Sequence, residues 1–397
     1  MTELFLLGAG ASVEAGIPDA FRMTKVMLDK FSNDIYSRRI NKILQFVVGG
    51  LLFQQGIKGE NPYGGVNIED LFNTVLLLGE RQNSELGPFI SSWHPQLIGL
   101  EGGELTGFTG RKLLETIYEP IERFLGGKYR TSSGMNRIDT FHSSSRFESS
   151  FTEAVRQIES GGEGRLFEAA ADAMISKLVE MVWIIDPSIV EYLIPLVKYA
   201  KDQNSAITTL NYDNTIELTG HVSGIEIDTG FEAWSATGDF SFDAGQVPLL
   251  KLHGSIDWAL SHGQTSKEKP LPYQIIQQVD PNANQKRDIR PAIVFGGKNK
   301  LTAKGPFLSL LRAFENNLSK SEILTVIGYS FRDEHVNEFI ANWFNGNPAR
   351  LIRIINPDPK SIEREFTPYL FSGRGGDRVN VIAEKAAQGI SELLRAK

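Results

Sequence analysis

The run Phe5-Leu6-Leu7-Gly8-Ala9-Gly10-Ala11-Ser12-Val13-Glu14-Ala15-Gly16-Ile17-Pro18-Asp19-Ala20-Phe21-Arg22 is an apolar strand delivered into a glycine turn. Its reading decides the fold. Glycines at 8 and 10 permit positive φ and carry no Cβ to hold a ligand away. A helix beginning at Ser12 would add positive potential at the same place, so main-chain N–H groups here can face a pyrophosphate. Gly-x-Gly after a strand is by itself a weak dinucleotide signal, because a tight strand-to-helix turn needs the same residues. The third glycine of that signal belongs at position 13, where Val13 stands, and the next glycine is Gly16.

One strand-turn unit cannot form a sheet, so partners are sought further along. They come after about Ser205, as short apolar runs each followed by a turn or a helix: 206–210, 247–252, 292–295, 323–327, 351–355 and 379–382. Near-continuous apolar strands alternating with helices predict a parallel sheet covered on both faces. Between the opening turn and residue 200 the spacing is helical, with stretches at 23–31, 40–47, 68–78, 113–125, 166–184 and 189–200. Pro120 should interrupt the fourth of these. The Ser-, Gly- and Arg-rich segment 126–150 reads as a long loop. The expected architecture is α/β: a doubly wound, mostly parallel, Rossmann-like sheet from residues 1–30 and 201–397, with a mostly helical insertion over 31–200.

Composition narrows the class. The chain has 397 residues, a net charge of −7, 41% hydrophobic residues and no cysteine. The negative balance argues against nonspecific binding to nucleic acid or anionic lipid. Without cysteine there are no disulfides, no thiol catalysis and no cysteine zinc site. No apolar stretch approaches the ~20 residues that span a bilayer, and the start carries no signal-peptide pattern, so a cytoplasmic location is expected.

In an open α/β sheet, ligands sit at the carboxyl ends of the strands. That rule selects the residues just past each strand: Asn211, Tyr212, Asp213 and Asn214; His253, Gly254 and Ser255; Gly328, Tyr329, Ser330, Phe331, Arg332 and Asp333; and Asn356. Each also has a plain structural reading. Asn and Asp after a strand commonly form turns or cap helices, and a histidine before glycine is commonly structural. His94, His142, His221, His262 and His335 show no metal-ligand spacing. The 166–184 stripe, with Met174, Leu178, Met181 and Val182, reads as a core or interface face, and Asn67 to Asp70 as a helix cap.

Taken in order, these segments resemble the sirtuins. Gly8 to Ser12 through Gly16-Ile17-Pro18-Asp19 resembles the cofactor loop, Asn211-x-Asp213 the Asn-x-Asp motif, and Leu252-His253-Gly254 the His-Gly. Phe295-Gly296-Gly297 is similar to the Phe-Gly-Glu segment, Gly328-Tyr329-Ser330 to the Gly-Thr-Ser, and Ile354-Ile355-Asn356 to the adenosine-binding strand and its Asn. The resemblance implies NAD as substrate. Gly8, Ala9, Gly10, Ala11 and Ser12 would hold the pyrophosphate with Gly328 and Ser330, and Asn356 would bond the adenine-side ribose. Gly16, Ile17, Asp19, Phe21 and Arg22 would complete the cofactor loop. Asp213 would orient nicotinamide, Asn211 would position ribose or water, and His253 would act as general base.

Three departures matter. Ala20 is inserted before Phe21 and Arg22, Leu210 replaces the glutamine that precedes the family's Asn, and no four-cysteine zinc module follows His253. That module packs beside the acyl-lysine groove of deacylating sirtuins. The longer motifs Thr-Leu-Asn-Tyr-Asp-Asn-Thr-Ile-Glu and Gly-Tyr-Ser-Phe-Arg-Asp-Glu-His resemble the bacterial sirtuin-like NADases of antiphage defence. The implied activity is hydrolysis of NAD to nicotinamide and ADP-ribose, without zinc. The implied partners are a homo-oligomer and a HerA-type ATPase or a short Argonaute, with no direct nucleic-acid or membrane contact. The alternatives are a deacylase or ADP-ribosyltransferase on the same fold, and a non-catalytic nucleotide-sensing subunit.

Overall fold

The structure is a computed structural model that describes residues 2–33, 37–59, 61, 64–80, 164–263, 274–281, 291–295, 305–366 and 376–395. It divides into two compact units, Met1–Asp19 with Leu178–Lys397, and Ala20–Lys177. The sequence reading placed these divisions near 30 and 200. The segment 187–202 falls with the sheet because Leu193, Leu196, Val197 and Ala200 are buried in the same cluster as Phe5, Leu7 and Ile207.

The first unit is built on strands β1 (Glu3–Leu7), β2 (Ile207–Thr209), β3 (Ile227–Asp228), β4 (Val247–Lys251), β5 (Trp258–His262), β6 (Gln274–Gln278), β7 (Ile323–Ile327), β8 (Leu351–Ile355) and β9 (Val379–Ile382). Seven of them form one sheet in the order β3-β4-β2-β1-β7-β8-β9, and every pairing in it is parallel. β1 and β7 are buried along their whole length, which is why both are nearly all apolar rather than alternating, with only Glu3 and Thr325 polar. From β1 the chain winds one way through β2 and β4 and the other way through β7, β8 and β9. The β1–β7 seam is therefore the switch point where such sheets open a crevice at their carboxyl ends.

Helices Ile194–Asp202 and Ala386–Arg395 cover one face, burying Leu196, Val197, Ile390 and Leu393 with Phe5 and Leu7. Helices Phe307–Lys320 and Glu334–Gly346 belong to the other face, where Leu310, Phe314, Ile340 and Phe344 cluster with Leu4, Leu6, Leu324 and Val326. Each such side chain, once fully buried, contributes about 1.5–3 kcal/mol.

In the second unit, helices Ala20–Asn33, Arg38–Ile57 and Ile68–Glu80 pack on one another through buried Met27, Phe31, Leu44, Val47, Leu71 and Val75. The Asn67 side chain accepts the Glu69 N–H at 2.9 Å and so caps the third of these. Helix Gly164–Val182 is divided between the units at Leu178; on its stripe Met174, in the second unit, and Leu178 and Val182, in the first, are buried, a core face. Among the described residues no helix is long and apolar enough to cross a membrane.

The structure corrects several sequence expectations. No α-helix starts at Ser12: two short 3-10 turns, Ala9–Ala11 and Val13–Ala15, fill the space, and the α-helix begins at Ala20. Gly16 in the left-handed region (φ 84°) and Pro18, which has no N–H, separate them. Segment 292–295 is not a sheet strand. Ile293 makes only an isolated bridge to Gly254, because Ala292 N–H donates to Trp258 O and Val294 N–H to His253 O, tying the segment across the β4–β5 connection. β3 and the antiparallel β5–β6 pair were not anticipated. The expected helix at 113–125 with Pro120, the loop at 126–150, Gly296, Gly297, His94 and His142 lie outside the described residues.

Candidate active site

The site is assembled from the carboxyl ends of neighbouring strands. The turn after β1 comes first. Gly8 N–H donates to Ile327 O at 2.9 Å and Gly10 N–H to Gly328 O at 2.8 Å, so the turns after β1 and β7 are zipped backbone to backbone. A Cβ on Gly328 would sit 2.2 Å from Ala11 N, and Gly328 itself has φ 64°. Close approach of two loops is therefore what these glycines provide. Ala11 N–H donates to Gly8 O and Ser12 N–H to Ala9 O. The four N–H groups at 8, 10, 11 and 12 are thus all engaged within the protein, and Ala9 is the exposed residue of the turn.

Asn211, just past β2, ties into this turn. Its Nδ2 donates to Gly8 O at 3.0 Å and to Ser12 Oγ at 2.9 Å, and all three residues are buried. Tyr192 grips the turn from another side, its hydroxyl donating to Ala11 O at 2.6 Å. Burial pushes the Tyr192 phenol up, and the nearby carboxylates of Asp213 and Glu14 push it further.

Asp213 is buried, and its Oδ1 accepts from the N–H and the hydroxyl of Thr215 at 3.0 and 2.7 Å, capping helix Thr215–Ser223. That is the plain structural reading of an Asp after a strand. Its Oδ2 takes no hydrogen bond among the described residues. Asn214 is structural in full, exchanging two 2.9 Å bonds with the backbone of Ile184.

Beneath Asp213 lies a group the sequence reading passed over. Lys251, the last residue of β4, is fully buried, and its Nζ donates to Asp213 O and Glu217 Oε1, both at 2.6 Å. Burial alone would lower the Lys251 pKa. The Glu217 carboxylate, with Asp257 and Asp213, outweighs it and holds the ammonium above the usual lysine value. Asp257 is itself buried, accepting from Ser255 Oγ at 2.5 Å and Gln278 Nε2 at 2.9 Å. Burial pushes the Glu217 carboxyl up in turn, and the Lys251 ammonium draws it back. Three acidic groups thus act on one buried ammonium under the site. A lysine ending an apolar strand was the available signal.

His253 follows β4 and is buried. Its Nε2 lies 3.0 Å from Asp333 Oδ2. β4 and β7 are separated by β2 and β1, so this contact spans four strands, roughly 14 Å at normal strand spacing, across the carboxyl edge that carries the β1 turn. Tyr212 packs beside His253 with ring centroids 6.2 Å apart, and its hydroxyl donates to Val294 O at 2.9 Å. Asp333 was among the strand-end residues but had been given no role.

Ser330 is half-buried and makes no hydrogen bond among the described residues. Asn356 is engaged: its Nδ2 reaches Tyr329 O at 3.4 Å and its Oδ1 accepts from Asp358 N–H at 2.8 Å. Beyond it, at the ends of β8 and β9, an open depression of about 690 Å³ is lined by Glu14, Pro357, Glu384, Lys385 and Gln388 among others. Ile17 is buried on the turn, its N–H donating to Ser12 O at 3.3 Å, and Asp19 is exposed. Phe21 and Arg22 lie on the first turn of helix Ala20–Asn33, in the other unit, so the sheet unit brings together every predicted site residue except these two. Among the described residues, no group of three or more His, Asp or Glu could hold a metal ion.

No curated protein matches the chain. Among solved structures, a Sir2 homologue crystallised with NAD aligns at 12% identity over 100% of this chain and 88% of its own, with a TM-score of 0.42. Sir2 bound to an acetylated peptide aligns at 12% identity over 58% and 81%, with a TM-score of 0.36. Residues 205–373 match the family model of the SIR2-like domain, so the stretch that carries Asn211, Asp213, His253, Gly328, Ser330 and Asn356 is sirtuin-like.

Proposed function

We propose that this protein is an NAD hydrolase that cleaves the bond between nicotinamide and ribose. The observation that supports it most is the tie from Asn211 to Gly8 and Ser12, which gathers the Asn-x-Asp segment onto the β1 turn at the switch point. The donor set fits a dinucleotide in part. The half-buried Ser330 hydroxyl and the exposed Ala9 border the seam where a pyrophosphate would lie, and Asn356 precedes Pro357, which lines the depression past β8.

In the reaction, the carbon–nitrogen bond breaks, nicotinamide leaves with the bonding pair, and positive charge develops on the ribose. Water supplies the new oxygen and gives up a proton. Asp213 Oδ2 would accept from the nicotinamide amide, and the buried carboxylates under it favour the developing positive charge. His253 would take the proton, directly or through a ribose hydroxyl; an imidazole titrates near neutrality, which suits that task. No cysteine is present to build the zinc module beside an acyl-lysine groove, which favours water as the acceptor. In a cell, such activity would deplete NAD as an antiphage response, gated by a homo-oligomer, a HerA-type ATPase or an Argonaute.

The test is incubation of pure protein with NAD, with nicotinamide followed by chromatography. Release without any peptide is expected, and His253→Ala should lower it about 10²–10⁴-fold; Asn211→Ala should abolish it. Turnover only with an acylated peptide would replace the proposal by a transferase. Tight NAD binding without turnover, alone or with neighbouring gene products, would replace it by a sensor.

A further inference from the structure

We infer that Asp333 is the positioning residue for His253: it holds the imidazole with its proton on Nε2 and its lone pair on Nδ1. The inference rests on the hydrolase reading for its chemical consequence, but its structural content stands apart from it. His253 Nε2 and Asp333 Oδ2 are 3.0 Å apart, and both side chains are buried. An ionised carboxylate only accepts, so the nitrogen facing it carries the proton. The other nitrogen is then the one able to remove a proton, the arrangement by which a carboxylate sets the tautomer of a general base.

The surroundings fix Asp333 with unusual redundancy. Its Oδ1 caps helix Glu334–Gly346 by accepting from Val336 N–H at 3.3 Å, and its own N–H donates to Tyr329 Oη at 3.0 Å. Tyr329 Oη donates to Asn337 Oδ1 at 2.9 Å, and Asn337 Nδ2 donates to Phe331 O at 2.7 Å. Phe331 is held at φ 55°, a left-handed conformation that is strained for a non-glycine residue. It is retained by stacking on Phe366, with ring centroids 4.0 Å apart. Such strain persists only where the neighbours over-determine it. A helix cap alone would not need it, because Ser, Thr or Asn cap as well from an ordinary loop. The strained residue stands two positions before Asp333, in the turn that presents its carboxylate to His253.

Asp333→Ser separates the two roles, since serine keeps a helix cap but has no carboxylate to reach the imidazole. Asp333→Asn is the second variant: with its oxygen left on the Val336 N–H, the amide NH₂ faces His253 and drives the imidazole proton to Nδ1. The chain carries six histidines, so the ¹⁵N signals of His253 would be identified by their loss in His253→Asn. In the unaltered full-length protein, His253 should show a protonated Nε2, and the Nε2 signal should lose that character in Asp333→Ser. On NAD, kcat per folded molecule should fall at least about 100-fold in both variants, with KM within about threefold. An Nε2 that is unprotonated in the unaltered protein would overturn the inference, as would an Asp333→Ser variant with kcat within threefold. Should the unaltered protein release no nicotinamide at all, the hydrolase reading fails while the ¹⁵N signals still decide the role of Asp333.

Discussion

At its amino edge the sheet buries Glu3, whose carboxylate accepts from Thr325 Oγ1 at 2.5 Å and Tyr199 Oη at 3.3 Å and pairs with Arg353 at 3.4 Å. At its carboxyl edge it buries Lys251 among three carboxylates, with Asn211, Asp213, His253 and Asp333 above. Both edges hide charge, but the amino edge matches one acid to one base and two hydroxyls. The carboxyl edge gathers Glu217, Asp257 and Asp213 about one ammonium, and sets Asp333 against His253 across four strands. A buried charge that is only structural is neutralised by its neighbours. An arrangement that leaves negative charge over is the kind that perturbs chemistry.

Substitutions at the two edges test that contrast. Lys251→Met should be the most damaging, because it strands Glu217 and Asp257 without their cation; a loss of roughly 3–5 kcal/mol in urea unfolding is expected. Gly328→Ala forces a Cβ into the Gly10–Ala11 backbone. It should cost about 3 kcal/mol and separate the two turns, so that nicotinamide release falls further than stability alone explains. Glu3→Gln should cost about 1.5–3 kcal/mol and leave turnover per folded molecule unchanged. Should it lower turnover as much as Lys251→Met, the distinction between the edges is wrong.

The smallest effect concerns Tyr192. Its folded phenol holds its proton more tightly than the unfolded one, so its contribution is whole below about pH 10 and is lost as pH rises through the folded value. Lys251, also held above its ordinary value, adds to the same alkaline loss. Unfolding midpoints measured upward from about pH 9 should therefore decline, and Tyr192→Phe should lower stability by about 1 kcal/mol at neutral pH while flattening the decline.

Much of this was legible without coordinates. β1, β2, β4, β7 and β8 are rich in apolar residues because an inner strand covered on both faces admits little else, and the parallel order follows from their alternation with helices; β9, the edge strand, is only partly covered. Asn211, Asp213 and His253 stand out as candidates because strand ends are few and polar residues there are conspicuous. Segment 292–295 misled because an apolar run does not say which neighbour offers it a hydrogen-bonding edge. The 3-10 turns on either side of Ser12 were hidden because Ala-Gly-Ala and Val-Glu-Ala suit either helix type, while the close packing of Gly8 and Gly10 on the 328–329 backbone is a tertiary contact.

By itself, the sequence determined six of the seven strands of the sheet, their parallel sense and the polar groups just past them, since these depend on local pattern and on chain order. Only the tertiary structure decided which groups meet. The pairing of Lys251 with Glu217 across 34 positions and of His253 with Asp333 across 80 depends on strand order and on one strained residue, Phe331. Contacts so remote in sequence leave no periodicity behind, because each partner satisfies its local pattern equally well as a cap, a turn or a strand end.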